Sequence, residues 1–385
     1  MDFARHWARR GGSCLRLIAL AGVLLAHSEF GGASESDPWT YAHIPLADSG
    51  ALVSERLVVS IQSAIERVNT GQPSSPRMLG DTELEFAFFA EFRSLYIRDV
   101  TWGQFELCIG TNDCPGWPRF ERIQMFPAES VYHAARWRFI PARFHLASIV
   151  NVCGIRMGAD KLTHFFDDGF HYFNALRSRR KNLDPEDIRN LSLAFERSYM
   201  GTRITGIVSR ADIEANLAGV EFYSDFFSGD APIIGRGPDG RLLMLRNPDV
   251  CDYVTRQFDE RILPNEYSYG LLSTDRAEMR ARNLLRLIDR RARRAARLAR
   301  ELDGQELARQ KSRLLARRIP MTRWQSDFPK IRLVTYGAGM VSQWLFDRDF
   351  RRAVNLFGFN PLKADRLGDR KPVTIKPVEI VLSGA

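Results

Sequence analysis

Acids, an imidazole and an amide recur in a fixed order between residues 158 and 220. Asp160-Lys161-x-x-His164-Phe165 comes first, Glu196 follows, and Asp212-x-x-x-Asn216-x-x-Gly219 closes the series. A carboxylate beside a histidine fixes its tautomer and raises its basicity, which suits general-base work. His164 with Glu196 and Asp212 is also a nitrogen/oxygen set for a divalent metal ion, a kind of centre built from inward-facing groups on bundled helices. The catalytic candidates are therefore Asp160, His164, Glu196 and Asp212, and the metal candidates are His164, Glu196 and Asp212. Lys161 either neutralises these acids or, with Asn216, holds an anionic substrate group. A reading without chemistry stands beside this one. In it Asp160 caps a helix, Lys161 and Asp168 face water, and His164 is a core histidine bonded to Glu196.

Three helices must position these groups. Residues 158–173 put Asp160, His164, Asp168 and His171 along one side at steps of three and four. Leu162, Phe165, Phe166, Phe170 and Phe173 pack the remainder into a core. His171 and Asp167 read as surface or supporting groups. After the basic loop 177–181, Asp184 as N-cap, Pro185 at the first helical position and the acids Glu186 and Asp187 start a second helix. That helix carries Leu191, Ala194, Phe195, Glu196 and Tyr199, and Gly201 closes it. Ser209 caps a third, with Asp212 three residues on as a capping-box partner. Short links make the three helices neighbours.

This order resembles the core motif of the VanZ-like proteins, a bacterial envelope family linked to glycopeptide resistance. Those run Asp-Lys-x-x-His-Phe, then a Glu on the next helix, then Asp-x-x-x-Asn-x-x-Gly on a third. The first block is also similar to that of short outer-membrane-associated proteins. The resemblance covers residues 158–220 alone. Tyr199 stands where the family has Gln, and the family's helices span membranes whereas these are too charged. The resemblance implies a shared site more than a shared reaction.

The rest of the chain sets the context. At 385 residues, 45% apolar and 26% charged, it has the composition of a soluble globular protein with ample length for a core. The net charge of +9 is concentrated: residues 276–318 hold fourteen Arg and one Lys against five acids. Arg5, Arg9, Arg10 and Arg16 precede the apolar run 17–26, and Gly31, Gly32 and Ala33 follow, so residues 1–33 read as a signal peptide. The run is half of the ~20 residues a spanning helix needs. Export makes nucleic acid an improbable partner and places the protein in the periplasm or outside the cell. It also makes Cys108–Cys114 and Cys153–Cys251 the expected disulfides, with buried free thiols as the alternative.

Residues 34–50 read as a polar leader and 51–69 as a helix through Leu57, Ile61, Ile65 and Val68. The loop 72–77 follows. Residues 81–147 are aromatic-rich without a clean period; Glu83, Glu85 and Glu91 read as a solvated face, and His133 and His145 as packing or surface groups. Asp239-Gly240 marks a hairpin turn. Residues 274–318 form a long Arg-rich helix with the stripe Leu284, Ile288, Ala292, Ala295, Ala299 and Leu302, broken at Asp303-Gly304 and ended by Pro320. Its Arg face could meet anionic lipid or an envelope polymer, or simply be solvated. A bend at 335–340 and an edge strand at 373–381 end the chain.

The expected fold is mainly α: a helical core at 34–273 with minor β, the basic segment 274–318, and a mixed C-terminal segment 319–385. Two functions compete. One is an envelope enzyme with an acid/His site, metal-assisted and hydrolytic, using a divalent ion or no cofactor at all. The other is a non-catalytic envelope or membrane-surface protein whose polar cluster is a buried network.

Overall fold

The computed structural model of this chain describes residues 35–71, 80–96, 104–112, 114–136, 146–178, 185–197, 205–267 and 275–317. Within them the protein is mainly α-helical with minor β. The expected signal at 1–33, the loop 72–77, His145, residues 179–181, the Asp184 cap, Tyr199, Gly201, Pro320, the bend at 335–340 and the strand at 373–381 lie outside the described residues. No helix among the described residues is long and apolar enough to cross a membrane.

Helix α1 (Gly50–Gly71) forms as its apolar period requires. Val53, Leu57, Ile61, Ala64, Ile65 and Val68 recur at steps of three and four and are buried. Full burial of each Val, Leu or Ile is worth roughly 1.5–3 kcal/mol. Just before it, Asp48 accepts hydrogen bonds from the Gly50 and Cys153 amides, both at 2.8 Å. Cys153 is bonded to Cys251 there, and Cys108 to Cys114, which are the expected pairings.

The aromatic region forms α2 (Asp81–Tyr96) and α3 (Gln104–Thr111). Phe88, Phe89 and Phe92 of α2 meet Phe226 at ring separations of 5.3–5.6 Å. Glu83 is exposed, while Glu85 and Glu91 are half-buried and paired with Arg177 and Arg67. The short α4 (Val131–Ala134) leaves His133 exposed.

An antiparallel hairpin, β1 (Ile149–Val152) and β2 (Ile155–Gly158), leads directly into the first site helix. That helix begins as α5 (Asp160–Thr163), widens into a π-helical turn at His164–Asp168, and continues as α6 (Gly169–Ser178). Arg177 is in the last turn of α6, not in a loop, and stacks on Phe89 and Phe173. Next come α7 (Pro185–Phe195), β3 (Ile207–Val208) and α8 (Arg210–Ser224). The turn Asp239-Gly240 joins β4 (Ile234–Arg236) to β5 (Leu242–Met244), with Gly240 at φ +80°, and β3 pairs with β6 (Glu266–Tyr267).

The basic segment forms α9 (Asp275–Glu301) and α10 (Gly304–Leu315). The break falls at Asp303, whose carboxylate caps α10 by accepting from the Glu306 amide at 2.8 Å. The apolar stripe of α9 is turned inward: Leu284 and Ile288 pack with Trp39, Val131, Tyr132 and Tyr267. Ala299, placed in that stripe by the sequence period, is exposed. A second correction concerns the leader. Glu35, Ser36, Asp37, Trp39 and Thr40 are buried, because Asp37 accepts from the Trp39, Thr40 and Val131 amides and folds the segment into the core.

Candidate functional site

The site is built where α8 crosses the π turn. On α8, Asp212, Asn216 and Gly219 are spaced by four and three, so all three lie on the face toward that turn. Gly219 permits the approach: a Cβ there would lie 2.0 Å from the Phe165 carbonyl oxygen. Gly169 meets it from the other side, where a Cβ would come within 2.7 Å of Gly219 Cα. Tyr223, four residues beyond Gly219, donates to the Phe166 carbonyl at 2.6 Å. Ser209 caps α8 as its sequence implies, accepting from the Asp212 amide. The Asp212 carboxylate does not complete a capping box; it faces Lys161 and His164.

Lys161 is fully buried, and its ammonium lies 2.7 Å from Asp160 Oδ2, 2.6 Å from Asp212 Oδ1 and 2.7 Å from Glu260 Oε1. Lys161 donates to Asp160, and Asp212 and Glu260 complete the ion cluster around its ammonium, closed off from solvent. The neutralising role replaces the substrate-binding one. Asp160 is not a helix cap: Ala159 holds that position, without a side-chain cap. The trio Asp160, Asp212 and Glu260 clusters like a metal site, but the cation at its centre is Lys161.

His164 lies on the far side of Asp212. Its Nδ1 is 2.8 Å from Asp168 Oδ2 and 3.1 Å from Asn216 Oδ1, both acceptors, so it carries the hydrogen. Asn216 in turn donates to Ser192 Oγ at 2.9 Å. Asn216 therefore orients the imidazole and is not placed to bind substrate. Asp168 is 6% exposed and is a partner of His164, not a solvated acid. Nε2 sits 3.1 Å from Asp212 Oδ2, yet has no aligned hydrogen bond. Glu196, just beyond α7, makes no hydrogen bond with a described residue, including His164. Donor atoms of His164, Glu196 and Asp212 lie within 4.8 Å of one another. Donors bound at ~2.1 Å to one ion sit ~3–3.5 Å apart, and the His164 Nε2–Asp212 Oδ2 pair, at 3.1 Å, already falls in that range. His171 is partly buried, its Nε2 3.5 Å from Asp167.

Charge decides how the cluster behaves. Six buried carboxyl groups, Glu35, Asp160, Asp168, Glu196, Asp212 and Glu260, surround two basic groups, Lys161 and His164. Burial, then repulsion from Asp212, pushes Glu196 up to about 8. Burial takes Asp160 to about 7 against the pull of Lys161. Burial also raises Glu35 well above the usual range, and Asp168. Asp212 moves the other way: burial opposes its charge, but His164 and Lys161 outweigh it and hold it well below the carboxylate range. Burial also opposes charge on His164 and Lys161, and the surrounding acids more than offset it. Such an excess of acid is stable only with shared protons or an added cation.

Sequence reasoning brought Asp160, Lys161, His164, Glu196, Asp212 and Asn216 to one place. It missed Glu260, Glu35 and Ser36. Ser36 Oγ donates to Glu260 Oε1 at 2.8 Å, and Asn265 donates to Glu260 Oε2 at 2.7 Å. These residues lie in loops without periodicity, so no local signal marks them. Asp168 was findable, since i to i+4 from His164 is a contact distance on a helix.

Comparison with protein-family models, with curated proteins and with solved structures finds no match for the chain.

Proposed function

We propose that this chain is an exported cell-envelope protein whose His164, Glu196 and Asp212 hold a divalent metal ion for hydrolysis of an envelope component. The VanZ-like order of residues 158–220 is read as a mark of the same centre. One observation carries the proposal: an imidazole nitrogen without an aligned hydrogen bond sits among carboxylates that outnumber the basic groups around them. His164 is oriented for such a role, with Nδ1 given to Asp168 and Asn216 and Nε2 left toward Asp212 and Glu196. A carboxylate behind a ligating imidazole is the usual supporting arrangement. A bound divalent ion would supply Lewis acidity and a water acidic enough to act near neutral pH. Asp212, ionised across the physiological range, supplies fixed negative charge. To hold such an ion, Glu196, poised near neutrality, and His164, whose proton the surrounding acids favour, would each have to release a proton. Lys161, shared with Asp160 and Glu260, offsets the charge on Asp212. The two disulfides accord with an oxidising compartment.

A second reading rests on burial. His164, Glu196 and Asp212 are 2%, 3% and 4% exposed, which favours a closed structural network in a non-catalytic envelope protein. Elemental analysis of chain purified without chelator, with His164→Ala beside it, separates the two. The metal reading expects a stoichiometric divalent ion in the wild type, lost in a variant that keeps its circular dichroism. A wild type free of metal, and unable to take up zinc, manganese or calcium, overturns it. The network reading then expects His164→Ala to lower the melting temperature alone.

A further inference from the structure

Away from the acid centre, a cleft of about 810 Å³ opens between the end of α4 and the outward face of α9. Arg136, Arg280, Arg286, Arg290 and Arg293 line it against a single acid, Asp289. Asp289 is paired with Arg293. Arg136, Arg286 and Arg290 have no carboxylate within ion-pair distance among the described residues. Arg286 and Arg290 are one helical turn apart, where like charges repel. The cleft has the size of a small-molecule site, larger than a surface groove around one ion. Leu287 and the exposed Met279 give it an apolar wall beside the guanidinium groups.

Arg136 adds an independent observation. It follows α4 with φ +53°, in the left-handed region where glycine sits without strain and a side chain does not. The fold thus holds a guanidinium over the cleft at a backbone position that disfavours any side chain. A strained residue of this kind points to a function for its side chain.

We propose that this cleft binds a phosphoryl anion, the ligand class that clustered guanidinium groups recognise by paired charge-assisted hydrogen bonds. A soluble phosphate ester and a phospholipid headgroup share that chemistry. The test uses the whole exported chain in EDTA, which keeps divalent ions at the acid centre out of the measurement. Titration calorimetry with inorganic pyrophosphate probes the soluble source. Co-sedimentation with phosphatidylcholine vesicles, with and without phosphatidylglycerol, probes the lipid source. Saturable binding in either arm is expected. Arg136→Gly and the pair Arg286→Ala/Arg290→Ala should each weaken it by about tenfold or more. Arg294→Ala, an exposed arginine outside the cleft, should leave it unchanged. Arg136→Gly relieves backbone strain, so its melting temperature should equal or exceed that of the wild type, which separates lost binding from lost fold. Response to pyrophosphate alone identifies a soluble ester, and preference for anionic vesicles alone identifies a headgroup. No saturable binding in either arm, or equal losses in Arg136→Gly and Arg294→Ala, overturns the proposal.

Discussion

Glu196→Gln isolates the proton that the buried acids hold. In the fold Glu196 stays protonated up to about 8, against 4.5 for an ordinary glutamate. That interval corresponds to ~5 kcal/mol of preference for the neutral form. Between the two values the native chain binds one more proton than the unfolded chain, so stability falls as pH rises. The slope is ~1.4 kcal/mol per pH unit, and from pH 6 to pH 8 the loss due to Glu196 is roughly 2–3 kcal/mol. Glutamine keeps the shape of the neutral acid and has no proton to lose. Asp160, raised to about 7, loses stability in the same direction in both proteins, so it cancels in the difference. Asp212 has a lowered value and costs stability only in stronger acid, outside this window. Urea unfolding in EDTA at pH 6, 7 and 8 measures the effect. The variant should be more stable by roughly 2 kcal/mol at pH 6, and its advantage should widen by about 2–3 kcal/mol more by pH 8. Parallel curves would refute the account of Glu196. A divalent ion added at pH 8 should restore the wild type and leave the variant unmoved.

Lys161→Met leaves three buried carboxylates without their cation and should cost about 3–5 kcal/mol, read as a lower urea midpoint at pH 7; an unchanged midpoint contradicts the ion cluster. Gly219→Ala forces a methyl toward the Phe165 carbonyl and should cost about 3 kcal/mol while separating α8 from the π turn. Its circular dichroism and thermal melt would expose a milder effect. The disulfides span 98 and 6 residues, so Cys153→Ala/Cys251→Ala should cost about 4.7 kcal/mol and Cys108→Ala/Cys114→Ala about 2.2 kcal/mol by chain entropy. A reversed order in denaturant midpoints would sink that ranking.

Local signals were legible because they are local. The spacing of Leu57, Ile61, Ile65 and Val68 gave α1, Ser209 gave the start of α8, and Asp303 gave the break before α10. The order of Asp160, His164, Glu196, Asp212 and Asn216 gave half of the site for the same reason, since consecutive helices with short links pack together. Region 81–96 was ambiguous because its apolar residues do not keep to one face of α2: Phe88 is buried while Phe86 is 71% exposed. The choice between the two roles of Lys161 and the bond of Asn216 to Ser192 were not legible, because Glu260 and Ser192 lie on other elements. Composition named residues 34–50 a leader, yet a single carboxylate, Asp37, turns that stretch into core by gathering three amides. Long-range pairing of this kind leaves no periodic trace.

The bond between Ser36 and Glu260 spans 224 positions of the chain. Closing so long a loop is entropically slow, and nothing rewards it until both ends exist. During synthesis the Lys161 cluster would therefore stay incomplete until residue 260 had emerged. Its acids would ionise freely during that wait and change their proton affinities only at the final docking. Assembly of the centre and completion of the core would be a single event.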